Sequence, residues 1–230
     1  IGKLAVQSFK YNKYLPLGKP EIIAENLERW EVDEIFLQCI DRSKKSIGPN
    51  YELIEEVSKF APTTPLIYAG GIRNSNDAIK VINSGAERIS IETIFSRRPE
   101  EITEIHKNLG CQAIIGSLPV FIKDGRLNYY DYHTSSLEEI NLSDRLNQIK
   151  VHASEIFISD VNNDGGIERK DTDIFCNNLF KELDLIVFGG INNESKINNL
   201  LNQDNIKAIA IGNCLNYSEN SYQLFKDKLK

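Results

Sequence analysis

The chain reads as an α/β barrel, eight parallel strands each followed by a helix, assembled from two copies of one half-barrel. Three observations lead there. Gly70-Gly71-Ile72-Arg73 is echoed 119 positions later by Gly189-Gly190-Ile191-Asn192. Ahead of the pairs stand Asp33-Glu34-Ile35-Phe36-Leu37 and Ser154-Glu155-Ile156-Phe157-Ile158, 121 positions apart. Behind them come Arg88-Ile89-Ser90-Ile91-Glu92-Thr93 and Ala208-Ile209-Ala210-Ile211-Gly212-Asn213. Matched landmarks in one order, at a nearly constant offset, mark a duplicated unit of about 120 residues. A length of 230 residues suits one such barrel. The expectation is a single domain over 1–230, with its N-terminal half to about residue 120 and its C-terminal half from about 121 to 230.

The elements follow from periodicity. Short, β-branched and almost wholly apolar runs at 33–40, 65–70, 88–92, 112–121, 155–161, 184–189 and 207–212 suit parallel strands covered on both faces. Helical stretches alternate with them, at 20–30, 50–60, 75–84, 98–109, 137–152, 170–183, 192–202 and 217–229. Asn74-Ser75-Asn76-Asp77 and Asn192-Asn193-Glu194-Ser195 place helix-starting side chains directly after the glycine turns. These are seven barrel strands, not eight. Residues 4–10 alternate apolar and polar, like one arm of a surface hairpin rather than a buried strand. The first barrel strand is therefore expected upstream of Ile1, because a seven-stranded open barrel would expose an edge.

Composition narrows the function. A formal charge of −6 and the lack of any basic stripe argue against nucleic acid as a partner. Arg42, Lys44 and Lys45 read as a short solvated loop cluster. No run approaches the 18 or so apolar residues of a membrane span, and no signal peptide is evident. Cys39, Cys111, Cys176 and Cys214 are scattered without CxxC or histidine pairing. The expectation is buried free thiols in a reducing cytoplasm, with no metal site and no cofactor. The chain contains no methionine, not even an initiator.

The glycine turns carry the first functional reading. In such a barrel the strand C-termini build the active face. Glycines let backbone amides approach an anion, and the following helix N-terminus adds a favourable dipole. Gly71 and Gly190, flanked by Glu92-Thr93 and Gly212-Asn213 at the ends of the next strands, are candidate halves of two related phosphate sites. Together these would grip a small-molecule ligand with a phosphate at each end. The alternative is that the glycines only make tight turns.

Several blocks resemble a known family. Val32-Asp33-Glu34-Ile35-Phe36-Leu37, Gly70-Gly71-Ile72-Arg73 with Asp77-Ala78, and 84–93 (SGAERISIET) look like the cyclase subunit (HisF) of imidazole glycerol phosphate synthase. The likeness continues through Gly110-Cys111-Gln112-Ala113, Ser154-Glu155-Ile156, Asn163-Asp164-Gly165 and Gly189-Gly190, covering essentially the whole chain. Residues 9–20 with Ile40-Asp41-Arg42-Ser43 look closer to HisF-like paralogues of surface-sugar amidation clusters. The resemblance implies a (β/α)8 barrel fed with ammonia by a HisH-like glutaminase docked on the N-terminal barrel face. In the paralogues a separate sugar amidotransferase is a further partner. The family cyclase uses the ammonia to split a bis-phosphorylated ribonucleotide into imidazole glycerol phosphate and a carboxamide ribotide.

Carried over residue by residue, the resemblance divides. Glu34 and Glu155 match two charged gate residues of the barrel floor, and Arg88 replaces a gate lysine. Glu87 takes the place of an acidic residue that pairs with the glutaminase. The bland reading is an ion-pair cluster closing the barrel bottom. Gly165 joins Gly71, Thr93, Gly190, Gly212 and Asn213 as phosphate-binding by resemblance. At the chemical end the pattern breaks: Pro119 stands where the family's fifth-strand catalytic aspartate should be, and proline has no proton to give. Cys39 replaces a ligand-side aspartate, and Glu92 an asparagine near a phosphate, where a carboxylate would repel the anion.

Asp41 ends the second strand, and Asp160 and Asp164 end the sixth, Asp164 matching a ligand-binding acid by resemblance; Asp41 and Asp164 are the surviving acid/base candidates, at matching positions of the halves to within about two residues. Equally, they read as helix-capping or loop-closing acids. Tyr129, Tyr130, Tyr132 and His133 crowd an insertion after the fifth strand, as a ligand cover or as a surface hairpin. His106 and His152 fall in helical stretches and read as structural or solvated. The function expected is that of a HisF-like subunit of a glutamine amidotransferase complex with weak or no cyclase activity. The alternatives are a genuine cyclase of histidine biosynthesis, a HisA-like phosphosugar isomerase and a non-catalytic phosphate-binding barrel.

Overall fold

The computed structural model describes residues 1–165, 174–216, 222, 223 and 226. In chain order the elements are β1 (Ala5–Phe9), β2 (Lys13–Gly18), α1 (Pro20–Arg29), β3 (Ile35–Gln38), α2 (Ile40–Lys45), α3 (Tyr51–Phe60), β4 (Leu66–Ala69), α4 (Ser75–Asn83), β5 (Arg88–Ile91), α5 (Thr93–Arg97) and α6 (Pro99–Leu109). They continue with β6 (Ile114–Lys123), β7 (Arg126–Asp131), β8 (Ser136–Glu138), α7 (Leu142–His152), β9 (Glu155–Asp160), β10 (Leu185–Phe188), α8 (Glu194–Leu201) and β11 (Ile206–Ala210). Among the described residues, all seven strands expected from the apolar runs are present, as β3, β4, β5, β6, β9, β10 and β11. This succession of parallel strands and helices is that of an α/β TIM-barrel-type fold.

The residues fall into two compact units. One comprises Ile1–Val6, Pro16–Ser117 and Asp144–Ser154; the other comprises Gln7–Leu15, Leu118–Ser143 and Glu155–Lys230. In the first unit β3, β4, β5 and the start of β6 pair in parallel, with Ile35 opposite Leu66, Ile67 opposite Arg88 and Ile89 opposite Ile114. All four residues of β4 are buried, as a strand covered on both faces requires. Gly116 is needed there for packing: a Cβ would stand 2.0 Å from Ile149 Cγ2 of α7. In the second unit β9, β10 and β11 pair in parallel. The end of β9 is tied to β6 by Val161 N–H donating to Val120 O at 3.0 Å and by the Asn162 amide, bonded both ways to the Ile122 backbone.

The duplicated helix starts are realised in both units. Asn74 Oδ1 accepts from Asp77 N–H and Asn193 Oδ1 from Lys196 N–H, each at 2.9 Å. Each cap satisfies one orphan donor of its helix and stabilises by about 1 kcal/mol.

Residues 4–10 do form one arm of a hairpin: β1 and β2 make a two-stranded sheet outside the parallel series. The tyrosine-bearing insertion is also a hairpin, β7 pairing antiparallel with β6 and with β8. Its turn is Asp124-Gly125, with both φ angles positive at 51° and 74°, as a two-residue hairpin loop requires.

Several expectations are corrected. The helix expected over 137–152 starts only at Leu142, because β8 occupies Ser136–Glu138 and Asn141 Oδ1 accepts from Ser143 N–H at the helix start. In the stretch expected as a helix over 170–183, residues 174–180 form two 3-10 turns broken at Asn177, which is extended (ψ 138°) and accepts from Leu179 N–H. Residues 170–173 and most of 217–229 lie outside the described residues. The thiols are not uniformly buried: Cys39 is, Cys111 and Cys214 are half-buried, and Cys176 is exposed; all four are free. Arg42 is not a solvated loop residue. It lies on α2, and its guanidinium donates to the carbonyls of Gly48 at 2.6 Å, Pro49 at 2.9 Å and Ile47 at 3.2 Å.

Candidate functional site

In the first unit the strands begin at a charged floor. Glu34 precedes β3 and Arg88 opens β5; Arg88 Nη1 lies 3.6 Å from Glu34 Oε1, with both side chains partly buried. Arg88 Nη2 also donates to Ser154 Oγ at 3.3 Å. The structure thus brings two of the three expected gate residues together. Glu155, the third, opens β9 in the other unit and is half-buried. The neighbouring Glu87 is exposed, and its carboxylate accepts from Leu66 N–H at 2.5 Å.

At the other end of these strands Gly70 backs onto Cys39, whose carbonyl would lie 2.3 Å from an added Cβ. Gly71 (φ +74°) lets the backbone pass against Gly48, whose carbonyl oxygen would be 2.4 Å from a Cβ. The Gly71 N–H donates to Ser43 Oγ at 3.0 Å. The next strand end is also filled from within: Thr93 Oγ1 donates to Glu92 Oε2 at 3.0 Å and Ser96 Oγ to Glu92 Oε1 at 3.5 Å. A carboxylate thus sits where the sequence suggested an anion. Behind the glycine turn, Asp77 binds Arg73 Nε at 2.7 Å and Tyr51 Oη at 2.9 Å. Burial together with the Asp77 carboxylate pushes the Tyr51 phenol up to about 12.

Asp41 does not end a strand. β3 stops at Gln38, and Asp41 lies in the first turn of α2. Its carboxylate pairs with Lys45 Nζ at 3.0 Å, one helical turn on, and accepts from Gly2 N–H at 3.3 Å. Burial is the largest single influence on it and favours the neutral form. The Lys45 ammonium and the Gly2 amide together outweigh burial and hold the carboxyl below its ordinary range.

The second unit holds the more buried acids. Asp160 ends β9 and Asp164 follows in the next turn, both 2% exposed. Asp164 accepts from Ser8 Oγ at 2.5 Å and from Tyr11 N–H at 3.2 Å, while its own carbonyl accepts from Lys10 N–H at 2.9 Å. Burial raises its carboxyl above the ordinary range, against the lowering effect of Ser8 and the backbone amides. Asp160 is likewise raised by burial and accepts from the Asn163 amide at 2.6 Å. Asn213 Nδ2 donates to Ser8 O at 2.6 Å, and Gly165 (φ +67°) makes room for that oxygen, which would lie 2.4 Å from a Cβ.

Asp164, Gly165 and Asn213 are therefore gathered around one short stretch of the N-terminal hairpin. Gly190 (φ +65°) lies against Asn163, and its carbonyl accepts from Lys196 Nζ at 3.1 Å. The nearest atom to a Cβ at Gly212 would be on the Phe188 ring, at 3.5 Å.

Over this end lies an aromatic cluster. The Tyr11 ring stacks on Tyr130 (centroids 6.4 Å apart) and meets Tyr132 edge-on at 4.9 Å; Tyr130 and Tyr132 meet edge-on at 5.6 Å. Tyr14 Oη donates to Tyr11 O at 2.7 Å. The insertion thus packs on the hairpin, and its Asp131 carboxylate, accepting from His133 N–H at 2.6 Å, is buried. Ser8 and Tyr11 are not marked as site residues by the sequence. No local pattern marks them, since Ser8 meets Asp164 across 156 positions of chain.

Among the described residues no three histidine, cysteine or acidic side chains are grouped to hold a metal, and no helix is long and apolar enough to cross a membrane. His106 and His152 meet edge-on at 5.4 Å between α6 and α7.

The chain is similar in sequence to known proteins. The chain is 26% identical over 222 residues to a protein of Vibrio vulnificus (strain YJ016) provisionally named imidazole glycerol phosphate synthase subunit hisF2. The match covers 96% of this chain and 81% of that protein. A second protein of that strain, provisionally named subunit hisF3, is 28% identical over all of this chain and 85% of its own length. The imidazole glycerol phosphate synthase subunit HisF of Dictyoglomus thermophilum is 27% identical over 83% of this chain and 76% of its own. The profile of the histidine biosynthesis proteins matches residues 3–221, and the chain belongs to that family as a HisF-like member.

Proposed function

We propose that the chain is the HisF-like subunit of a glutamine amidotransferase complex. It takes ammonia from a HisH-like glutaminase through a single barrel spanning 1–230 and passes it on with little or no cyclase activity of its own. The observation that carries this reading is the contrast between the two ends of the strands. At the floor, Glu34 and Arg88 form a charged pair, and Glu155 opens another strand as the third gate residue. At the opposite end, Pro119, buried in β6, stands where a catalytic carboxylate would be needed. A proline there can neither donate nor accept a proton, so a general acid/base contribution of about 10²–10⁴-fold is lost.

The acceptor of the ammonia, in this reading, is a sugar handled by a separate amidotransferase in the cytoplasm. Glu87 remains an edge-of-floor contact for the glutaminase, fixed by its bond to Leu66 N–H. The turns at Gly71, Thr93, Gly165, Gly190, Gly212 and Asn213 hold a phosphorylated ligand. For Gly71 and Thr93 this requires the ligand to displace the Ser43 and Glu92 bonds now made there. For taking up and passing on ammonia, this chain itself is expected to need no cofactor or metal. The test is to mix the purified chain with its glutaminase and follow glutamine hydrolysis. Stimulation is expected, and a rate equal to that of glutaminase alone would end the proposal.

A genuine cyclase is the second reading, favoured by one observation. Asp164 is a buried carboxyl gathered with Gly165 and Asn213, and burial raises it above its ordinary range. Turnover of the bis-phosphorylated ribonucleotide with ammonium salt would establish that reading.

A further inference from the structure

Ser154 is the last residue before β9, and its backbone and side chain are both tied down. Its N–H donates to Ile114 O at 3.0 Å and to Cys111 O at 3.2 Å, and its hydroxyl donates to Ile114 O at 3.3 Å. Ile114 opens β6, and its partner in register on β5 is Ile89, next to Arg88. The Ser154 oxygen is thereby held beside β5, where it accepts from Arg88 Nη2 at 3.3 Å. The other terminal nitrogen, Arg88 Nη1, lies 3.6 Å from Glu34 Oε1. The guanidinium is therefore stretched between Glu34, ahead of β3, and Ser154, ahead of β9.

We propose that Ser154 is a positioning residue of the floor gate, a latch that fixes the Arg88 guanidinium across the strand entrances. An ion pair at 3.6 Å is longer than the roughly 2.7–2.9 Å of a charge-assisted hydrogen bond, so the Glu34 contact supplies charge more than direction. Direction comes from a second point of attachment. Arginine is a rigid planar fork, and holding both of its terminal nitrogens leaves it one orientation; a lysine is a point charge on a flexible stem and gains no such constraint. Ser154 suits the task because its one hydroxyl proton goes to Ile114 O, leaving the oxygen to accept from Arg88. All the groups involved, Glu34, Arg88, Ile114 and Ser154, belong to the first unit. The consequence, that ammonia is admitted only when the Arg88–Ser154 bond opens, rests on the ammonia reading; the latch itself does not.

The test uses the full chain with 15N-labelled arginine, the Arg88 Nε–H signal being assigned by its loss in Arg88→Lys. Ser154→Ala should make that proton exchange with solvent about tenfold faster, the loss of one hydrogen bond to the guanidinium. Ser154→Thr, which keeps the hydroxyl, should restore the parent rate. In the complex with its glutaminase, Ser154→Ala should raise kcat for glutamine hydrolysis and leave KM unchanged, because the gate holds back a product and never meets glutamine. In an Arg88→Lys background the same substitution should leave both constants unchanged. Three results would overturn the assignment: unchanged Arg88 exchange in Ser154→Ala, no recovery in Ser154→Thr, or an equal kinetic effect in the Arg88→Lys background. Faster Arg88 exchange in Ser154→Ala, with no stimulation of the glutaminase by the parent chain, would support the latch and end the ammonia reading.

Discussion

Gly71→Ala tests whether the glycine after β4 is required by close approach as well as by its dihedral angle. Two costs apply. At φ +74° a side chain is strained by about 1–2 kcal/mol. The new methyl would also stand 2.4 Å from the carbonyl oxygen and 2.6 Å from the carbonyl carbon of Gly48. Those are backbone atoms, whose displacement disturbs the loop held by Arg42 and costs a further amount of about 1–3 kcal/mol. Gly125→Ala is the matched control, because Gly125 has the same φ of +74° with nothing within 4 Å of its Cβ direction. The difference between the variants therefore isolates the overlap. For a chain of this length 1 kcal/mol corresponds to roughly 2–4 °C in melting temperature. Gly71→Ala should thus melt roughly 2–12 °C below Gly125→Ala by calorimetry. Equal melting temperatures would refute the reasoning, since the loop at Gly48 would then yield at no cost.

Other consequences follow from particular contacts. Ser8→Ala removes a 2.5 Å bond to the buried Asp164 carboxyl and should destabilise by about 1.5–3 kcal/mol in urea titration; a loss within error would show that the bond is not formed in solution. Asn74→Ala and Asn193→Ala should each cost about 1 kcal/mol and add in the double variant; markedly unequal losses would deny that the two caps are equivalent. His152 is held below its ordinary value first by burial and then by the nearby His106 imidazole. Its unfolded form therefore binds a proton more readily, and stability should fall as pH drops below about 6.5. His152→Gln should flatten that decline between about pH 7 and 5, as followed by thermal melts, and an unchanged slope would exclude the histidine as its source.

The strands and the duplicated turns were legible in the sequence because apolar runs and paired glycines are local signals. The Asn74 and Asn193 caps could be read for the same reason, each lying three residues from the amide it serves. What local pattern could not disclose is how side chains are used once distant segments meet. Asp41 and Asp164 looked alike on the chain, yet one is a partly buried partner of Lys45 and the other is sealed by the N-terminal hairpin. Glu87 could be placed at the floor but not its turn toward Leu66 N–H, which depends on the β4–β5 register. The extra turn of α2 was missed because Ile40-Asp41-Arg42-Ser43-Lys44-Lys45 is too short to show helical periodicity. Ser8 and Tyr11 were missed because their meaning lies in partners more than 150 positions away.

The fate of glutamine's amide nitrogen tests the central claim most directly. With 15N-amide glutamine, the cognate glutaminase and the bis-phosphorylated ribonucleotide present together, the label should appear as free ammonium, with none in an imidazole ring. Recovery of 15N-labelled imidazole glycerol phosphate at a rate matching glutamine hydrolysis would contradict the account, because the chain would then complete ring closure without an acid at Pro119.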